Sequence, residues 1–384
     1  MNHFSFWDKT SFLDNYDVVI AGSGIVGLNA AWTLKKESPD LSVLVIDRGS
    51  IPSGASTRNA GVACFGTVSE IVEDLEHYSE EEVFSLIDMR WKGLWKLRSN
   101  LGDKNIGFEN LGGFELYFEN EQDSFKKSEE KIGFLNTRLS PIIGSFTTYK
   151  ISEPKIQKFG FQGVKHVIEN VAEGQIDSGK MMFCLLQKAI HAGVVTMYGT
   201  EIKSFSEEGS CVEIECSNGI KLKTKKLLIA TNGFTKNLIP DLDVYPARAQ
   251  VLLTSAIAGC QIKGAFHFDK GFYFFRNIGD RILFGGGRNL DFKTEETMEF
   301  GLTDLVQNSL EKFLRENILP GKEYSVEQRW SGIMGMGKKK LPIIKKISER
   351  VFCAVRMSGM GVAIGSQAGE DAAKLLIGTE TSVN

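Results

Sequence analysis

Three glycines near the amino terminus stand at a spacing that suits the binding of a diphosphate. The segment Gly22-Ser23-Gly24-Ile25-Val26-Gly27 fits the pattern G-x-G-x-x-G. In such a turn the first glycine permits a tight bend, the second lets a pyrophosphate approach the backbone, and the third lets a helix pack closely on a strand. Asp47 follows about 20 residues later, where a carboxylate can accept a hydrogen bond from a ribose hydroxyl. These residues predict dinucleotide binding rather than a purely structural turn.

The elements around these glycines are the ones that the motif requires. Apolar strings at 17–21 and 42–46 predict buried strands, and residues 25–36 predict a helix between them. A strand, a helix and a strand in this order begin a parallel sheet, and the amides at the start of the helix face the phosphates. The first 50 residues therefore predict the start of an α/β domain.

Beyond residue 80 the sequence predicts helices mixed with antiparallel strands. We predict helices at 80–101 and 177–192, a charged helix that ends near 138, a strand at 113–118, a buried strand at 226–233, and antiparallel strands within 244–290. A parallel nucleotide-binding domain interleaved with an antiparallel sheet domain is the architecture that this order favours.

A second motif narrows the choice of nucleotide, because the glycine pattern alone does not distinguish FAD, NAD and S-adenosylmethionine. The run Ser53-Gly54-Ala55-Ser56-Thr57-Arg58-Asn59-Ala60-Gly61 resembles the second signature of FAD enzymes of the D-amino-acid oxidase and glycine oxidase family. In that family the loop lies along the pyrophosphate and ribityl chain of FAD. Small and hydroxylated side chains suit this position, since their hydroxyls and the backbone can donate to phosphate oxygens. The alternative is a generic loop of small residues.

Later segments resemble the same family in the same order. They are 173–177, 226–233 with Asn232 where glycine is usual, 271–286, 330–332, and 357–364. Within the family the sequence is most similar to the gamma-glutamylputrescine oxidoreductase branch. The segments that carry this narrower similarity are the leader Ser5-Phe6-Trp7-Asp8, the run 58–61, and the Ser-Gly-x-Gly-Val of the closing loop.

The resemblance implies the fold and its division along the chain. The fold class is α/β, with an FAD-binding, doubly wound Rossmann-type domain and an interleaved antiparallel β-sheet substrate domain. The implied FAD-binding segments are 1–80, 165–235 and 329–384, and the implied substrate-binding segments are 81–164 and 236–328.

The resemblance also implies FAD as the cofactor, held non-covalently. Arg58 stands where some members carry a histidine or cysteine bonded to flavin, and no cysteine lies near Lys338. The implied cofactor-binding residues are Gly22, Ser23, Gly24, Ile25, Val26, Gly27, Asp47, Arg48, Ser56, Thr57, Arg58, Asn59, Gly61, Val62, Ile202, Thr231, Asn232, Gly233, Gly332, Gly359, Met360, Gly361, Val362 and Ala363. The helix that starts in the closing loop would point its dipole at the flavin and stabilise the negative charge of its reduced form.

One position departs from the family. Members that oxidise amino acids usually carry an arginine after W-x-G-x, and it binds the substrate carboxylate, whereas this chain has Met334. Either another arginine holds a carboxylate, with Arg276, Arg329 and Arg356 as candidates, or the substrate is an amine without an α-carboxylate. We favour the second alternative, and expect Arg276 to form a structural ion pair.

The implied reaction is oxidation of a C–N bond to an imine by hydride transfer to the flavin. The expected substrate-pocket residues are Tyr273, Phe275, Trp330, Met334 and Met360. The chemistry needs orientation and desolvation more than a general base. The histidines lie outside every motif, so we assign them to solvated or packing positions: His3, His77, His166, His191 and His267.

Composition limits the possible partners. With 45 basic and 48 acidic side chains the formal charge is −3, which argues against nucleic-acid binding. Lys338-Lys339-Lys340 suggests a solvated loop. The six cysteines show neither zinc-ligand spacing nor a C-x-x-C pair, and no apolar run approaches the roughly 20 residues of a membrane span. We therefore expect a cytoplasmic enzyme with no metal, acting on a small amine or amino acid.

Two other functions remain open at this stage. One is a nicotinamide-dependent dehydrogenase, and the other is a flavin-binding module without turnover. The identity of the substrate, the electron acceptor and the oligomeric state are not encoded in any motif.

Overall fold

The computed structural model describes residues 4–379, in which two large sheets are packed with helices. Its strands, numbered β1 to β18 in chain order, are Tyr16–Ala21, Val43–Ile46, Val62–Ala63, Gly113–Phe118, Tyr149–Ile151, Val164–Asn170, Gly174–Gln175, Val195–Met197, Ile202–Glu208, Cys211–Cys216, Lys221–Ile229, Tyr245–Thr254, Ala265–Phe268, Tyr273–Ile278, Arg281–Gly286, Val326–Met336, Ile343–Lys346 and Val351–Val355. Its helices, numbered α1 to α11, are Phe6–Phe12, Ile25–Glu37, Ala55–Arg58, Val68–His77, Glu80–Leu101, Gln122–Ile143, Pro154–Phe159, Ser178–His191, Phe292–Glu295, Asp304–Phe313 and Gly361–Ile377. His3 lies outside the described residues.

The first large sheet carries the glycine motif. Its strand order is β17-β18-β11-β1-β2-β8, and the hairpin of β9 and β10 extends it beside β11. β1 pairs in parallel with β2 and β11, which sets Ile20 beside Val45 and Leu228. β2 and β18 are buried along their whole length, which is why their sequences are continuously apolar. The predicted strand–helix–strand start of a parallel sheet is therefore present.

α2 and α11 pack against each other beside this sheet. Leu28 and Ala30 of α2 share a core with Ala368 and Ala372 of α11. A β-carbon at Gly369 would lie 2.6 Å from the carbonyl oxygen of Val26, so the two backbones approach closely. This packing fixes two helix N-termini on the same sheet.

The second large sheet has the order β16-β12-β15-β14-β13-β4-β6-β5 and is antiparallel except between β4 and β13. One of its faces packs on an aromatic core, in which Phe266 stacks on Phe275 at 4.5 Å and Phe268 stacks on Tyr273 at 4.8 Å between ring centroids. Leu310 of α10 belongs to the same core. This core occupies one face of the sheet, which leaves the alternate residues for the other face.

The register identifies the residues on that opposite face. Phe274 pairs with His267 on one side and with Gly285 on the other. Val251 pairs with both Gly285 and Trp330. Since directly paired residues point to the same side of a sheet, these five residues share the face that is turned away from the aromatic core.

Several elements match the sequence-based predictions, and the predicted domain limits remain a prediction. α5, α8 and β4 occupy the segments predicted as two helices and a strand. Sheet membership cuts across the predicted limits, because β6 and β16 belong to the second sheet although most of each was assigned to the FAD-binding part. Among residues 4–379, no helix combines the length and the hydropathy needed to cross a bilayer.

Candidate active site

A cavity of about 1220 Å³ joins the two sheets. Gly22 and Gly24, in the turn after β1, and Asp47, after β2, line it from the first sheet. Phe272 and Phe274 line it from the second sheet. One continuous cavity therefore connects the predicted nucleotide motif to the free face of the antiparallel sheet.

The glycine turn is shaped by close approaches of the backbone. Gly22 has φ +106°, and a β-carbon there would lie 2.8 Å from the carbonyl oxygen of Ala230. A β-carbon at Gly27 would overlap the carbonyl oxygen of Gly22. α2 begins after Gly24, which gives its first amides no side-chain cap. The Ile25 amide donates to Ser56 Oγ at 3.0 Å, so the second motif lies directly against this helix end.

Asp47 is held rigidly at the end of β2. Its carboxylate accepts from Ser23 N at 2.8 Å, Ser23 Oγ at 2.6 Å and Gly49 N at 2.9 Å. Asp47 lines the cavity next to the glycine turn. This is the position in which the sequence predicted an acceptor for ribose hydroxyls.

The second motif is hydrogen-bonded to the second sheet and to α8. Arg58 donates from Nε to Ser53 O at 2.8 Å and from Nη1 to Ser331 O at 3.0 Å. Trp330 Nε1 donates to Arg58 O at 3.0 Å. Asn59 Oδ1 accepts from Gly61 N and from Ser178 Oγ, each at 2.8 Å. The loop is therefore fixed from β16 and α8, with its small residues facing the cavity.

The closing loop before α11 is held by Asn232. Asn232 Oδ1 accepts from the backbone amides of Arg356 at 3.1 Å and Met357 at 3.2 Å. Asn232, Arg356 and Ser358 all have positive φ, near 47°, 65° and 48°. The side chain of Asn232 thus explains why an asparagine can stand where the family usually has glycine, because asparagine tolerates the left-handed region and also binds the loop.

These features fit FAD. The residues that precede α2 and α11, Gly24 and Met360, do not cap these helices with their own side chains, and residues of both helix starts line the cavity. Such ends attract anionic groups. Ser358 lines the cavity, and its Oγ is buried with no partner among the described residues, so a hydrogen-bonding ligand would satisfy it. The donors, the missing β-carbons and the unpaired hydroxyl all suit a dinucleotide.

Most of the predicted cofactor-binding residues line the cavity. They are Gly22, Gly24, Ile25, Val26, Asp47, Arg48, Ser56, Arg58, Asn59, Gly61, Val62, Ile202, Thr231, Asn232, Gly332, Gly359, Met360, Gly361, Val362 and Ala363. Four others support the lining instead. Ser23 holds Asp47, Gly27 and Gly233 allow close packing, and Thr57 Oγ1 donates to Pro52 O at 2.7 Å.

Of the predicted substrate-pocket residues, Met334 and Met360 line the cavity and three do not. Tyr273 and Phe275 are 3% and 0% exposed and lie in the aromatic core on the opposite face of the second sheet. The expectation for these two residues was wrong because the alternation of β14 has the other parity, with Phe272 and Phe274 turned to the cavity. Trp330 packs behind the lining through its hydrogen bond to Arg58.

The three arginines proposed for a substrate carboxylate are engaged elsewhere. Arg329 pairs with Glu311 at 2.6 Å, and Arg356 pairs with Asp243 at 2.7 Å. Arg276 is buried and donates to Gly61 O at 3.2 Å. Within the described part of the chain it forms no ion pair, so the expected structural ion pair is corrected to a backbone contact. None of the three lines the cavity.

Lys340 is also placed differently from expectation. It is half-buried and pairs with Glu70 at 3.1 Å and Asp74 at 2.8 Å, rather than lying in a solvated loop. Burial raises the pKa of Glu70, but the charges of Arg90 and Lys340 outweigh burial and lower that pKa to about 2. Glu70 lines the cavity as an ionised group that already has two cationic partners, which makes it a poor general base.

Motif reasoning missed several residues that line the cavity, among them His267 and Arg288. His267 was assigned to a solvated or packing position, yet its ring lines the cavity and its buried Nδ1 has no partner among residues 4–379. Burial lowers the pKa of His267 to about 4, so the imidazole is neutral near pH 7. The pairing of β13 with β14 sets His267 beside Phe274 on the cavity face, and the sequence of β13 alone does not reveal this pairing.

The chain belongs to the DAO family of FAD dependent oxidoreductases, whose profile matches residues 17–375. The protein is therefore an oxidoreductase that uses FAD, and the alternatives of a nicotinamide enzyme and a flavin module without turnover are not retained. Non-covalent attachment of FAD stays a prediction.

Particular proteins resemble the chain over almost its whole length. A protein of Rhizobium meliloti (strain 1021), named probable oxidoreductase OrdL, is 24% identical over 381 residues, which cover 96% of this chain and 84% of that protein. A glycine oxidase structure from Geobacillus kaustophilus has a TM-score of 0.78 at 19% identity and covers 97% of both chains. An L-proline dehydrogenase structure from P. horikoshii has a TM-score of 0.77 at 19% identity, covering 97% of this chain and 96% of that one. These similarities confirm the predicted fold class.

Proposed function

We propose that this enzyme oxidises the C–N bond of a small amine or amino acid to an imine, which water then hydrolyses. The observation that carries the proposal is the single cavity that runs from the glycine motif to the aromatic side chains of the second sheet. A glycine oxidase and an L-proline dehydrogenase are among the proteins with this fold, and glycine and proline are both small amino acids.

In this proposal FAD lies along the first sheet. The amides at the start of α2 and the backbone around Gly22 and Gly24 bind its diphosphate, and Asp47 binds a ribose. Ser56 and Asn59 line the path between the two sheets. The N-terminus of α11 contributes positive potential at the flavin end, and Asn232 keeps that helix start in position.

When bound, FAD supplies the acceptor for the hydride that leaves the carbon next to nitrogen. Phe272 and Phe274 pack on the substrate and exclude water from the reacting carbon. Met334 and Met360 contribute uncharged contacts, so the substrate nitrogen meets no fixed cation there. His267 is neutral and offers its unpartnered Nδ1 to an N–H group of the substrate, which orients the nitrogen without protonating it.

The test is anaerobic mixing of the FAD-loaded protein with a panel of amines and of D- and L-amino acids. Reduction of the flavin is followed by the loss of its absorbance band at about 450 nm. The proposal predicts bleaching by at least one compound of the panel, with formation of the corresponding carbonyl product and ammonia or an amine. If no compound bleaches the flavin while dithionite does, the proposed reaction is wrong even though the protein holds FAD.

We also propose that the enzyme works in the cytoplasm, as the sequence predicted. All six cysteines are free thiols in the structure, which is usual in a reducing compartment. Fractionation of the source cells with marker enzymes tests this placement, and recovery of the protein with extracellular markers would contradict it.

A further inference from the structure

Arg288 occupies a distinctive place on the cavity wall. It begins the short 3-10 turn Arg288–Leu290 that follows β15, and it lines the cavity. Its guanidinium lies 5.4 Å from the ring centroid of Phe272 and 5.0 Å from that of Phe292. Two aromatic rings therefore restrict the side chain, and cation–π contacts of this kind fix an arginine while leaving its N–H donors available.

Arg288 also differs from the buried arginines, each of which has an acceptor within the protein. Arg90, Arg248 and Arg356 pair with a carboxylate, at 3.2, 2.8 and 2.7 Å respectively, and Arg276 donates to Gly61 O. Among residues 4–379, the Arg288 side chain forms no ion pair and no hydrogen bond, and the titratable group whose charge acts on it is the phenol of Tyr245 rather than a carboxylate. Arg288 is half-buried, and burial lowers its pKa, but an arginine remains cationic at neutral pH.

A partly desolvated cation without a counter-ion is unfavourable, and an anion delivered by a ligand would offset that cost. The planar guanidinium fork matches a carboxylate, which can accept two parallel N–H bonds. The other cations of the cavity wall near Phe272 are already paired, since Lys270 binds Glu73 at 2.9 Å and Lys340 binds Glu70 and Asp74. Of the residues that the structure describes, Arg48 also lines the cavity without an ion pair, but it follows β2 next to Asp47, on the side of the glycine motif, with its guanidinium 3.6 Å from the Phe234 ring centroid. Arg288 is thus the unpaired cation that the second sheet presents to the cavity.

We infer that Arg288 binds a carboxylate of the substrate and so makes the enzyme select amino acids over plain amines. This inference rests on the proposed function and deepens it, because it reverses the preference for an amine without a carboxylate that Met334 suggested. The required carboxylate contact comes from the segment after β15, because β16 contributes only uncharged residues to the cavity, namely Gly332, Ile333, Met334 and Met336.

A binding experiment tests this inference without any turnover. Benzoate and its uncharged analogue benzamide are titrated into the FAD-loaded protein, and the perturbation of the flavin spectrum gives each Kd. In the R288Q variant the Kd of benzoate is expected to rise at least about 30-fold, in line with loss of a charge-assisted bidentate contact, while the Kd of benzamide changes less than about 3-fold. R315Q is the matched control, because Arg315 is an exposed arginine paired only with Glu316.

A comparison of paired substrates provides a second readout. The ratio of kcat/KM for alanine to that for ethylamine is expected to fall by at least about 30-fold in R288Q and to remain unchanged in R315Q. Equal benzoate affinity in R288Q and the unmodified protein would overturn the inference. An equally large loss of FAD affinity in R288Q would also overturn it, by assigning Arg288 to the cofactor. If no amine or amino acid reduces the flavin, the proposed function fails, while the benzoate titration still decides the role of Arg288.

Discussion

At the scale of single residues, the chemistry of the cavity wall depends on which charged groups are already paired. Glu70 is surrounded by Arg90 and Lys340 and stays ionised, whereas His267 is neutral and unpaired. Glu173 lies in the interior without lining the cavity, and it shows a third behaviour. It is 2% exposed and accepts from the backbone amides of Phe65 at 2.9 Å and Gly66 at 3.3 Å. Burial raises the pKa of Glu173 to about 8, so the folded protein holds this carboxyl in its protonated form at neutral pH.

Replacement of Glu173 by Gln should therefore change how stability depends on pH. Between the usual pKa of 4.5 and about 8 the folded state binds a proton at Glu173 that the unfolded state has released. The free energy of unfolding then falls as pH rises through this window, by at most about 1.4 kcal/mol per pH unit. E173Q keeps an acceptor oxygen for the two amides and cannot ionise. We expect the drop in Tm between pH 5.5 and 8.5 to be smaller in E173Q than in the unmodified protein; an equal or larger drop would show that Glu173 does not titrate as described.

At the scale of elements, the alternation of β14 decides which aromatic residues line the cavity. The sequence predicted the strand and its aromatic character but not its parity. The preceding turn sets the parity, because Asp269, Lys270 and Gly271 all have positive φ, near 50°, 53° and 81°. Two of these three residues are not glycine, so the sequence gives little warning of the turn. The outcome is a buried Tyr273 and a cavity-lining Phe274.

Two variants of β14 separate these roles. Tyr273 Oη lies 3.1 Å from Ser309 Oγ in the aromatic core, so Y273F should lower the free energy of unfolding by about 1 kcal/mol and leave KM unchanged. F274A removes a cavity-lining ring, so it should raise KM about 10-fold or more, with a smaller effect on Tm than truncation of a core ring. Steady-state kinetics and thermal unfolding of the two variants check both statements. A raised KM in Y273F with normal kinetics in F274A would contradict this assignment and place Tyr273, rather than Phe274, at the substrate pocket.

At the scale of the whole molecule, local motifs predicted the cofactor side of the cavity better than the substrate side. Gly22, Gly24 and Asp47 belong to one strand–helix–strand unit within the first 50 residues, so their spacing alone implies their geometry. The substrate side is assembled from β13, β14, β15 and the loop after β15, which come together only through long-range strand pairing. That is why His267 and Arg288, which belong to no motif, were not assigned to the site. The pairing of Lys340 with Glu70, 270 positions away, is non-local in the same sense.

The arrangement of the whole molecule also connects the glycine-motif side of the cavity to the second sheet. The second motif at 53–61 lies against α2 and is hydrogen-bonded to β16 through Arg58 and Trp330. In the binding mode proposed above, FAD would contact this loop and thereby also order the cavity wall proposed for the substrate. Because a ligand that binds only the folded state raises the free energy of unfolding by RT ln(1 + L/Kd), where L is the free ligand concentration, cofactor binding should stabilise both sheets together.

The most direct test of the central claim is a titration of purified, flavin-free protein with FAD, monitored by absorbance and by thermal unfolding. We expect saturation at one FAD per chain, a bound flavin spectrum, and a single unfolding transition whose Tm rises with FAD. At 100 times Kd the stabilisation should be about 2.7 kcal/mol. A protein that takes up no FAD and whose Tm is unchanged by excess FAD would contradict the assignment of the cavity.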